Sequence, residues 1–538
     1  MKKTYSRILA FLLALVMVFA LAACGNSDQP KPDAPQPGGV PEVPATTVAT
    51  KKTADDTLVY AFAFSGSEFD PTNVVSDWIT TIWMTYETLV RYDVNAGELR
   101  GVLADKFEVV DTQTIKFHIR DGATFSNGDP VTGEDVLFSW KRCDTSMQFS
   151  SMSKQIDWAN CVVDGQDLTI KLLAPNADFI YFTTLSGFAI VSKNYVESVG
   201  ESEFKLKPMG SGPYTLGEFT PGESITYVRN DNYWGGKAKY GTVVIKPILE
   251  EATRSISFEA GEVDIARITT ADSIATLVGR ESEGIYVAPS AGSTVYYMNL
   301  WDQSEIFDDA NLRLAVAHAV DWKAVVQSLW GDYATTMDTA LSSASPYATS
   351  MGGYEYSPEK AKEYMAAGGY PDGFTFGIAV GTSGNDVVVA EMIQGYLKEV
   401  GITLKVNTMD NALARAASAD GSHEISLGQN NRTVPALACV WAGQAAGSNS
   451  LLQEVHTDYA EGAKFQELMV SISSELDAAK KEALTKEIQK LVHDECLWIP
   501  IAQVGNVWVY YDYIAEDAVE MVTNGGFDQG LDIRDLFF

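Results

Sequence analysis

The side chains of this 538-residue chain that could carry out chemistry are its cysteines, histidines and carboxylates, and their spacing does not favour catalysis. None of the histidines stands at a metal-ligand spacing from another, and His318 lies in an apolar helical stretch, which is typical of a core histidine. The patterns G-x-S-x-G, H-E-x-x-H, P-loop and G-x-G-x-x-G are absent. We therefore predict that the protein is not an enzyme and holds no metal or cofactor. The histidines are His118, His318, His423, His456 and His493.

The five cysteines form no C-x-x-C pair, so they indicate neither a redox centre nor a zinc site. Cys24 stands alone at the end of an export-like leader. An oxidising compartment would permit a Cys143–Cys161 disulfide and a Cys439–Cys496 disulfide. Buried free thiols fit the same sequence, and the spacing leaves both alternatives open.

Residues 1–23 have the organisation of a signal peptide. A basic start, MKKTYSR, precedes an uncharged apolar run from Ile8 to Ala20 that is too short to span a bilayer. The following Leu21-Ala22-Ala23-Cys24 resembles the lipobox of bacterial lipoproteins. The resemblance implies cleavage before Cys24 and a diacylglycerol on its sulfur. An ordinary export signal with an incidental cysteine is the alternative.

Residues 24–55 are predicted to be a disordered tether, because prolines stand among small and polar residues with almost nothing to bury. Lipid on Cys24 would anchor the tether, since each buried methylene contributes about 0.8 kcal/mol. We expect the folded body outside the cytoplasm, held at the bacterial cell membrane on the cell surface or periplasmic face. The prolines are Pro30, Pro32, Pro35, Pro37, Pro41 and Pro44.

The composition is that of a folded, acidic protein. Hydrophobic residues make up 46% of the chain, enough for large cores, and the length suits two or three domains. The formal net charge of -32 argues against nucleic acid as a partner, because an acidic surface repels phosphate backbones. Beyond the leader we find no charge-free apolar run long enough to predict a membrane span.

Local patterns predict strands and helices that alternate along the body. Thr57–Phe62 and Thr114–Ile119 read as strands, and the apolar segment Trp78–Val90 reads as a helix. Thr132 can cap a helix over Glu134–Arg142, whose early acidic residues suit a helix N-terminus.

Further helices follow in the second half of the chain. Asp308 or Asp309 can cap a helix that continues to Gly331, and Ser357 caps another with Pro358 at its first position. This succession of helices and strands predicts a mixed or parallel sheet flanked by helices. The remaining elements are a helix over Asp386–Val400, a strand over Ile402–Val406 and an amphipathic helix over Ala478–Asp494.

Several long stretches carry a common pattern. Two of them are GVLADKFEVVDTQTIKFHIRDGATFSNGDPVTGEDVLFSWKR (Gly101–Arg142) and Lys207–Gly236, which contains the loop GSGPY; the ordered run of matches is more specific than any one of them. These blocks, in this order, resemble extracellular solute-binding protein family 5, the binding subunits of peptide and nickel ABC importers. The resemblance covers nearly everything after residue 56. Other matching blocks are Phe258–Ala266, Phe307–Val325, Tyr356–Gly373 and Glu487–Pro500.

The resemblance implies an α/β fold of two lobes, like the type II, cluster C periplasmic binding proteins, with mixed sheets flanked by helices and a ligand cleft between the lobes. Lobe one would comprise residues 56–298 and 505–538, with an inserted subdomain at about 99–206. Lobe two would comprise residues 299–504. We expect a monomer that delivers its solute to an ABC permease and ATPase complex.

The resemblance also implies ligand-binding residues. One contact segment of the family maps onto Trp78, Ile79 and Thr80, although Trp78 would serve equally as packing. In peptide-binding members the aspartate of a W-x-x-D stretch receives the α-ammonium of the peptide. The matching stretch here is Trp441-Ala442-Gly443-Gln444, so a neutral amide replaces the acid. Loss of one partner of a buried ion pair typically costs about 3–5 kcal/mol.

Because Gln444 replaces the family aspartate, the chemical class of the solute stays open. A peptide with a free amino terminus would need another acid, such as Glu68, Asp70 or Asp77. Trp441 and Gln444 would also suit a neutral solute, through aromatic stacking and amide hydrogen bonds. The leading hypothesis is a membrane-tethered receptor that captures an oligopeptide for an ABC importer. The alternatives are a non-peptide solute, such as an oligosaccharide or metal chelate, and a surface sensor without transport.

Overall fold

The computed structural model shows an α/β fold in which mixed sheets are flanked by helices. This confirms the α/β class and the mixed sheet predicted from the alternation of elements. The residues that the structure describes are 56–63, 66–73, 79–93, 96–146, 148–300, 304–339, 341, 345, 347–382, 385–410, 413–414, 417, 423–430 and 460–514.

The strands, numbered in chain order, build one large sheet, one hairpin and one smaller sheet within the described residues. They are β1 (Thr57–Phe62), β2 (Val90–Asp93), β3 (Glu98–Gly101), β4 (Ala104–Asp111), β5 (Thr114–Ile119), β6 (Val162–Asp164), β7 (Asp167–Lys171), β8 (Tyr214–Thr220), β9 (Ser224–Arg229), β10 (Thr242–Pro247), β11 (Ile265–Ile268), β12 (Ile285–Leu300), β13 (Ala334–Thr336), β14 (Thr375–Gly381), β15 (Thr403–Met409), β16 (Ile425–Asn430) and β17 (Trp498–Tyr511).

The large sheet has eleven strands in the order β15-β14-β16-β12-β17-β11-β1-β10-β9-β8, with β13 paired to β17. It is mixed, because β1 lies parallel to β10 and β11 while β17 lies antiparallel to β11 and β12. The hairpin is β2-β3, and the smaller sheet is the antiparallel β4-β5-β7-β6. The predicted strands Thr57–Phe62 and Thr114–Ile119 are confirmed as β1 and β5.

Two long strands connect the two ends of the large sheet. β12 and β17 pair from Ile285 opposite Tyr511 to Asn299 opposite Trp498. The end of β17 near Tyr511 also pairs with β11, whereas the end of β12 near Asn299 also pairs with β16. The register shifts between Pro289 and Ser293, where proline cannot donate to the ladder. The ladder is therefore irregular between the two ends of the sheet.

The helices are also numbered in chain order, and no described helix is both long and apolar enough to cross a membrane. They are α1 (Ile79–Thr85), α2 (Gly133–Arg142), α3 (Ser150–Ser153), α4 (Phe179–Phe182), α5 (Lys193–Val199), α6 (Glu201–Phe204), α7 (Glu251–Glu259), α8 (Ala271–Ala275), α9 (Ala310–Ala319), α10 (Trp322–Trp330), α11 (Pro358–Ala367), α12 (Asp386–Glu399), α13 (Ala460–Ser474) and α14 (Ala478–Asp494).

Capping residues fix the starts of several helices where the sequence predicts them. The Thr132 hydroxyl accepts from the Asp135 amide, and the Asp135 carboxylate accepts in return from the Thr132 amide, which forms a capping box. The Ser357 hydroxyl accepts from the Lys360 amide, with Pro358 at the first helical position. These bonds satisfy amides that have no partner within the helix, so short local signals suffice to predict α2 and α11.

The predicted helix over Trp78–Val90 is wrong in its extent. Helix α1 ends at Thr85, and Val90 begins strand β2. The amide of Gly212 donates to the carbonyl of Thr85 at 2.8 Å, so a distant loop meets the helix at its last residue. A contact of this kind cannot be read from the local apolar pattern.

The predicted helix from Asp309 to Gly331 is two helices, α9 and α10. Val320 has extended backbone angles, φ -111° and ψ 131°, which end α9. Asp321 then caps α10, because its carboxylate accepts from the Ala324 amide at 3.0 Å. Gly331 ends the second helix with a φ of 53°, as its position in the sequence indicates.

Buried apolar side chains within the described residues form separate clusters, which we call the first to fourth cores. The first core draws on residues between 58 and 285 and on 507–514. The second core draws on residues between 296 and 502, and the third on residues between 89 and 209. The fourth core packs α13 and α14 against Tyr297 and Trp498. The long strands β12 and β17 contribute to the first, second and fourth cores.

Candidate functional site

Helix α1 contains the part of the predicted ligand-contact segment that the structure describes. Ile79 is its first residue, and Thr80 is fully buried in its first turn. The Oγ1 atom of Thr80 has no hydrogen-bond partner among the described residues. Trp78 lies outside the described residues. The Thr80 hydroxyl therefore faces protein in this structure, and solute would reach it only after its surroundings move.

The loop Gly210–Tyr214 holds the other end of α1. A Cβ atom on Gly210 would lie 2.1 Å from the Thr85 carbonyl oxygen, and one on Gly212 would lie 2.7 Å from the Thr85 carbonyl carbon. Only glycine permits this approach, because both contacts involve rigid backbone. The Tyr214 hydroxyl donates to the Tyr240 carbonyl at 2.9 Å, which fixes the end of the loop. The GSGPY motif thus positions the candidate ligand segment.

A buried carboxylate supports the chain just after α1. Glu87 is 1% exposed, and its two oxygens accept from the Tyr233 hydroxyl at 2.5 Å and the Trp234 indole nitrogen at 2.8 Å. The Glu87 carbonyl accepts from the Ile190 amide at 2.8 Å. Such hydrogen bonds offset the cost of burying the charge. Glu87 therefore belongs to the framework of this region.

Two of the acids suggested as substitutes for the family aspartate are already engaged. Arg142 binds both oxygens of Asp70, at 3.2 and 2.8 Å, and Asp70 is 3% exposed. Glu68 accepts from the side chain of Asn73 and lies 3.5 Å from the Lys205 ammonium. Asp77 lies outside the described residues. Asp70 therefore already has a bidentate partner, and Glu68 also has bonding partners.

Three predicted site residues, Trp441, Gly443 and Gln444, lie outside the described residues, and so does the lipidation candidate Cys24. The roles of these residues stay predictions. Among the predicted ligand-binding residues, the structure thus describes Ile79 and Thr80.

The structure reveals polar residues that the sequence reasoning missed. Helix α14 was predicted to be amphipathic, but its buried face is not purely apolar. Lys481, Thr485 and Gln489 are buried beside Ile488. Their spacing of four residues places them on one helix face. That spacing of polar side chains was the available signal, and the buried lysine is the unusual member.

His318 and the described cysteines pack within the fold, and their surroundings do not indicate a reactive site. The His318 ring stacks on Tyr364 and its Nδ1 lies 2.7 Å from the Glu355 carbonyl, while burial lowers the pKa of the imidazole. Cys143, Cys161 and Cys496 are free thiols, so the Cys143–Cys161 disulfide is not formed. Burial raises the pKa of Cys496 to about 12, which disfavours the reactive thiolate.

Metal binding finds no support in the described part of the chain. No group of three or more His, Cys, Asp or Glu side chains there could hold a metal ion. His118 pairs with the surface residue Asp167 at 2.7 Å, which is an ordinary exposed contact. The described geometry therefore consists of buried hydroxyls, framework carboxylates and close backbone packing.

Comparison with known proteins places this geometry in a family. The sequence model described as bacterial extracellular solute-binding proteins, family 5 Middle, matches residues 98–438. The heme-binding protein A of Haemophilus influenzae is 22% identical over 92% of this chain and 93% of its own length.

Solved structures agree with the fold. The periplasmic binding protein DppA from Helicobacter pylori, in complex with peptide STSA, has a TM-score of 0.77 and 22% identity, covering 90% of this chain and 98% of that one. NikA from Brucella suis, in complex with Fe(III)-EDTA, has a TM-score of 0.75 and 22% identity, covering 86% of this chain and 96% of that one. These neighbours are two-lobed binding proteins, which confirms the predicted fold class.

Proposed function

The chain belongs to the bacterial extracellular solute-binding proteins of family 5, and from this premise we propose that it captures an oligopeptide outside the cytoplasm and delivers it to an ABC permease. The family match over residues 98–438 is the observation that carries the proposal. In such a protein the solute binds between two lobes, and closure shifts the population toward the form that docks productively.

The division into lobes follows the sequence prediction. We assign residues 56–298 and 505–538 to lobe one and residues 299–504 to lobe two. The separation of the first core from the second supports a division of the chain within β12, as does the register shift in β12 between Pro289 and Ser293. An irregular ladder between two cores is a reasonable place for a hinge, because few other strands cross there.

An oligopeptide is our preferred solute class. The DppA neighbour is described in complex with a peptide, whereas the heme-binding relative and the NikA complex represent other solutes. We assign Trp78, Ile79 and Thr80 to one side of the site and Trp441, Gly443 and Gln444 to the other. Because Gln444 carries no charge, the peptide terminus would be held by hydrogen bonds rather than by an ion pair.

A thermal-shift panel tests the solute class. A ligand at about 100 times its dissociation constant adds about 2.7 kcal/mol of stability, which raises the unfolding temperature measurably. We expect peptides to produce this shift, and sugars and metal chelates not to. Shifts produced only by sugars or chelates would reject the peptide assignment. They would favour the second candidate function, binding of a non-peptide solute, which the neutral Gln444 supports.

The Gln444→Asp variant tests the placement of the ligand terminus. We expect tighter binding of peptides with a free amino group, because the restored carboxylate can pair with the α-ammonium. N-acetylated versions of the same peptides are the matched control and should gain nothing. Equal affinities of both peptide sets for the variant and wild type would remove Gln444 from the site.

We also propose that Cys24 carries the lipid that tethers the protein at the membrane. The leader MKKTYSR with its apolar run and the Leu21-Ala22-Ala23-Cys24 stretch support this role. Mass spectrometry of the mature protein should find a diacylglycerol on Cys24, and Cys24→Ser should release the protein from the membrane fraction. An unmodified cysteine in a membrane-bound wild type would contradict the anchor.

A further inference from the structure

A buried polar contact joins the third core to the helices of the fourth core. We call it the 178–481 joint, and it consists of Asp178, Lys481, Ala177 and Ser473. The Lys481 Nζ atom lies 2.6 Å from Asp178 Oδ1, across 303 positions of sequence. The Ala177 amide donates to the Ser473 carbonyl at 2.7 Å. That carbonyl lies in the last turn of α13, where helix carbonyls lack intrahelical partners.

Asp178 is oriented toward this contact rather than toward its own helix. It stands at the N-cap position of α4, where an aspartate normally accepts from an amide of the first turn. Its side chain makes no such cap. The Asp178 amide instead donates to the Asn176 side-chain oxygen at 3.0 Å, which fixes the backbone and leaves the carboxylate for Lys481.

Lys481 is also placed against its local preference. It lies in the first turn of α14, where the helix dipole disfavours a cation, and it is only 8% exposed. A lysine at such a position normally extends to solvent. Here its ammonium is instead directed to Asp178, at 2.6 Å from Oδ1.

The energy of the ion pair is finely balanced. Burial raises the pKa of Asp178, and the charge of Lys481 opposes that rise without cancelling it. The Oδ2 atom of Asp178 is buried without a hydrogen-bond partner among the described residues. An incompletely satisfied buried ion pair gains little net free energy over its separated, hydrated partners. Such a contact can therefore form and break reversibly.

The joint also lies where movement is expected. The third and fourth cores share no side chain, and the contact between Asp178 and Lys481 is polar. Polar interfaces between folded units of one chain usually permit relative motion. Tyr347, which packs at the edge of the fourth core, is close enough for the charge of Asp178 to raise its phenol pKa, after the larger effect of burial.

We propose that the 178–481 joint is a latch that stabilises, in the absence of solute, the arrangement of the two lobes in which Asp178 and Lys481 meet. The inference rests on the proposed function in that the third core belongs to lobe one and helices α13 and α14 of the fourth core belong to lobe two. When the lobes separate, water hydrates both charges. The fraction of molecules with the latch formed then sets the apparent affinity for any solute that binds this arrangement, because affinity scales with the competent population.

Hydrogen exchange of the Ala177 amide in the solute-free full-length protein tests the latch. This amide is protected by Ser473 only while the joint is formed. Lys481→Met leaves the Asp178 charge buried without its ammonium partner while the joint is formed. We expect exchange at Ala177 to accelerate by at least about tenfold. Asp178→Asn is the second variant, and it serves also if Lys481→Met does not fold.

Lys464→Met is the matched control variant. Lys464 pairs with Glu487 at 2.7 Å on the exposed surface of the same two helices, so its loss should leave Ala177 exchange unchanged. Two control amides report on the cores themselves: Val191, which donates to Ser139 at 2.8 Å, and Thr349, which donates to Gln489 at 3.1 Å. We expect neither to accelerate in Lys481→Met.

Two outcomes would overturn the latch. Ala177 exchange in Lys481→Met and Asp178→Asn could match that in Lys464→Met, or the Val191 and Thr349 amides could accelerate equally with Ala177. The second outcome would mean that the ion pair holds the local fold. Because no solute is present, failure of the latch is distinguishable from failure of the proposed function, which would appear as absent thermal shifts in the wild-type protein.

Discussion

Two carboxylates, that of the partly buried Glu251 and that of the buried Asp178, have different hydrogen-bond environments and opposite pKa shifts. Both oxygens of Glu251 are bonded: they accept from the amides of Thr270 at 2.8 Å and Thr269 at 2.9 Å and from both threonine hydroxyls. Burial raises the pKa of Glu251, but these four bonds outweigh burial and leave the pKa below its ordinary value. Asp178 has one ammonium partner, and its pKa is raised.

This difference in bonding distinguishes Glu251, which holds the local framework, from Asp178, whose contact can form and break. Glu251 is satisfied by donors only 18 and 19 residues away, so its bonds fix a local turn between α7 and the end of β11. Asp178 depends on a lysine from another core, and one of its oxygens stays unpaired within the described chain. A carboxylate is thus held in place where several donors of one turn surround it, and is bonded reversibly where a single ion pair opposes desolvation.

The largest effect is expected at Glu87, the most deeply buried framework carboxylate beside α1. Glu87→Ala removes the acceptor of the Tyr233 hydroxyl and the Trp234 indole, and each stranded donor costs about 1–3 kcal/mol. We expect a loss of about 3 kcal/mol in the free energy of unfolding, measured by chemical denaturation. Glu98→Ala, on the exposed part of β3, is the control and should change little. A negligible loss of stability in Glu87→Ala would show that Glu87 does not hold the framework.

A smaller, pH-dependent effect is expected at Glu251. Its lowered pKa means that the carboxylate stabilises the fold above the ordinary glutamate value of about 4.3, and that this stability is lost as pH falls through the lowered pKa. At pH 7 we therefore expect Glu251→Gln to lower the free energy of unfolding by about 1–2 kcal/mol, which thermal unfolding detects as a lower unfolding temperature than that of wild type. The difference should shrink below about pH 4. A difference that stays constant down to pH 3 would show that the charge of Glu251 is not involved.

The smallest effect is expected when the whole latch pair is replaced. Asp178→Leu combined with Lys481→Met removes both charges and leaves apolar side chains of similar volume. Such replacements of buried ion pairs are often neutral or stabilising, so we expect a change in unfolding free energy within about 1 kcal/mol. Chemical denaturation should compare the free energy of unfolding of this double variant with that of Glu87→Ala. A loss as large as that of Glu87→Ala would make Asp178 a framework residue.

Local signals explain why much of the fold is predictable from sequence. Thr132 with Asp135 and Ser357 with Pro358 fix helix starts through bonds within a few residues, so α2 and α11 appear where expected. The break between α9 and α10 had a local signal too, since Asp321 caps the second helix. A continuous apolar pattern through Val320 concealed it.

Long-range contacts explain what the sequence could not show. Helix α1 ends at Thr85 because the Gly212 amide and the glycines of a distant loop meet it there. Lys481 looks like a solvated helix residue until its partner Asp178 is brought beside it by the fold. For the candidate site, the family pattern supplied Ile79 and Thr80, but only the structure shows that Thr80 is fully buried.

Native mass spectrometry of the wild-type protein with a mixed peptide pool tests the central claim, reversible capture of a solute, most directly. The account predicts a complex of one protein and one peptide, whose mass is the sum of the two and which releases the peptide unaltered on collisional activation. Recovery of a chemically changed peptide, or failure of the folded protein to form a complex with any peptide of the pool, would contradict it.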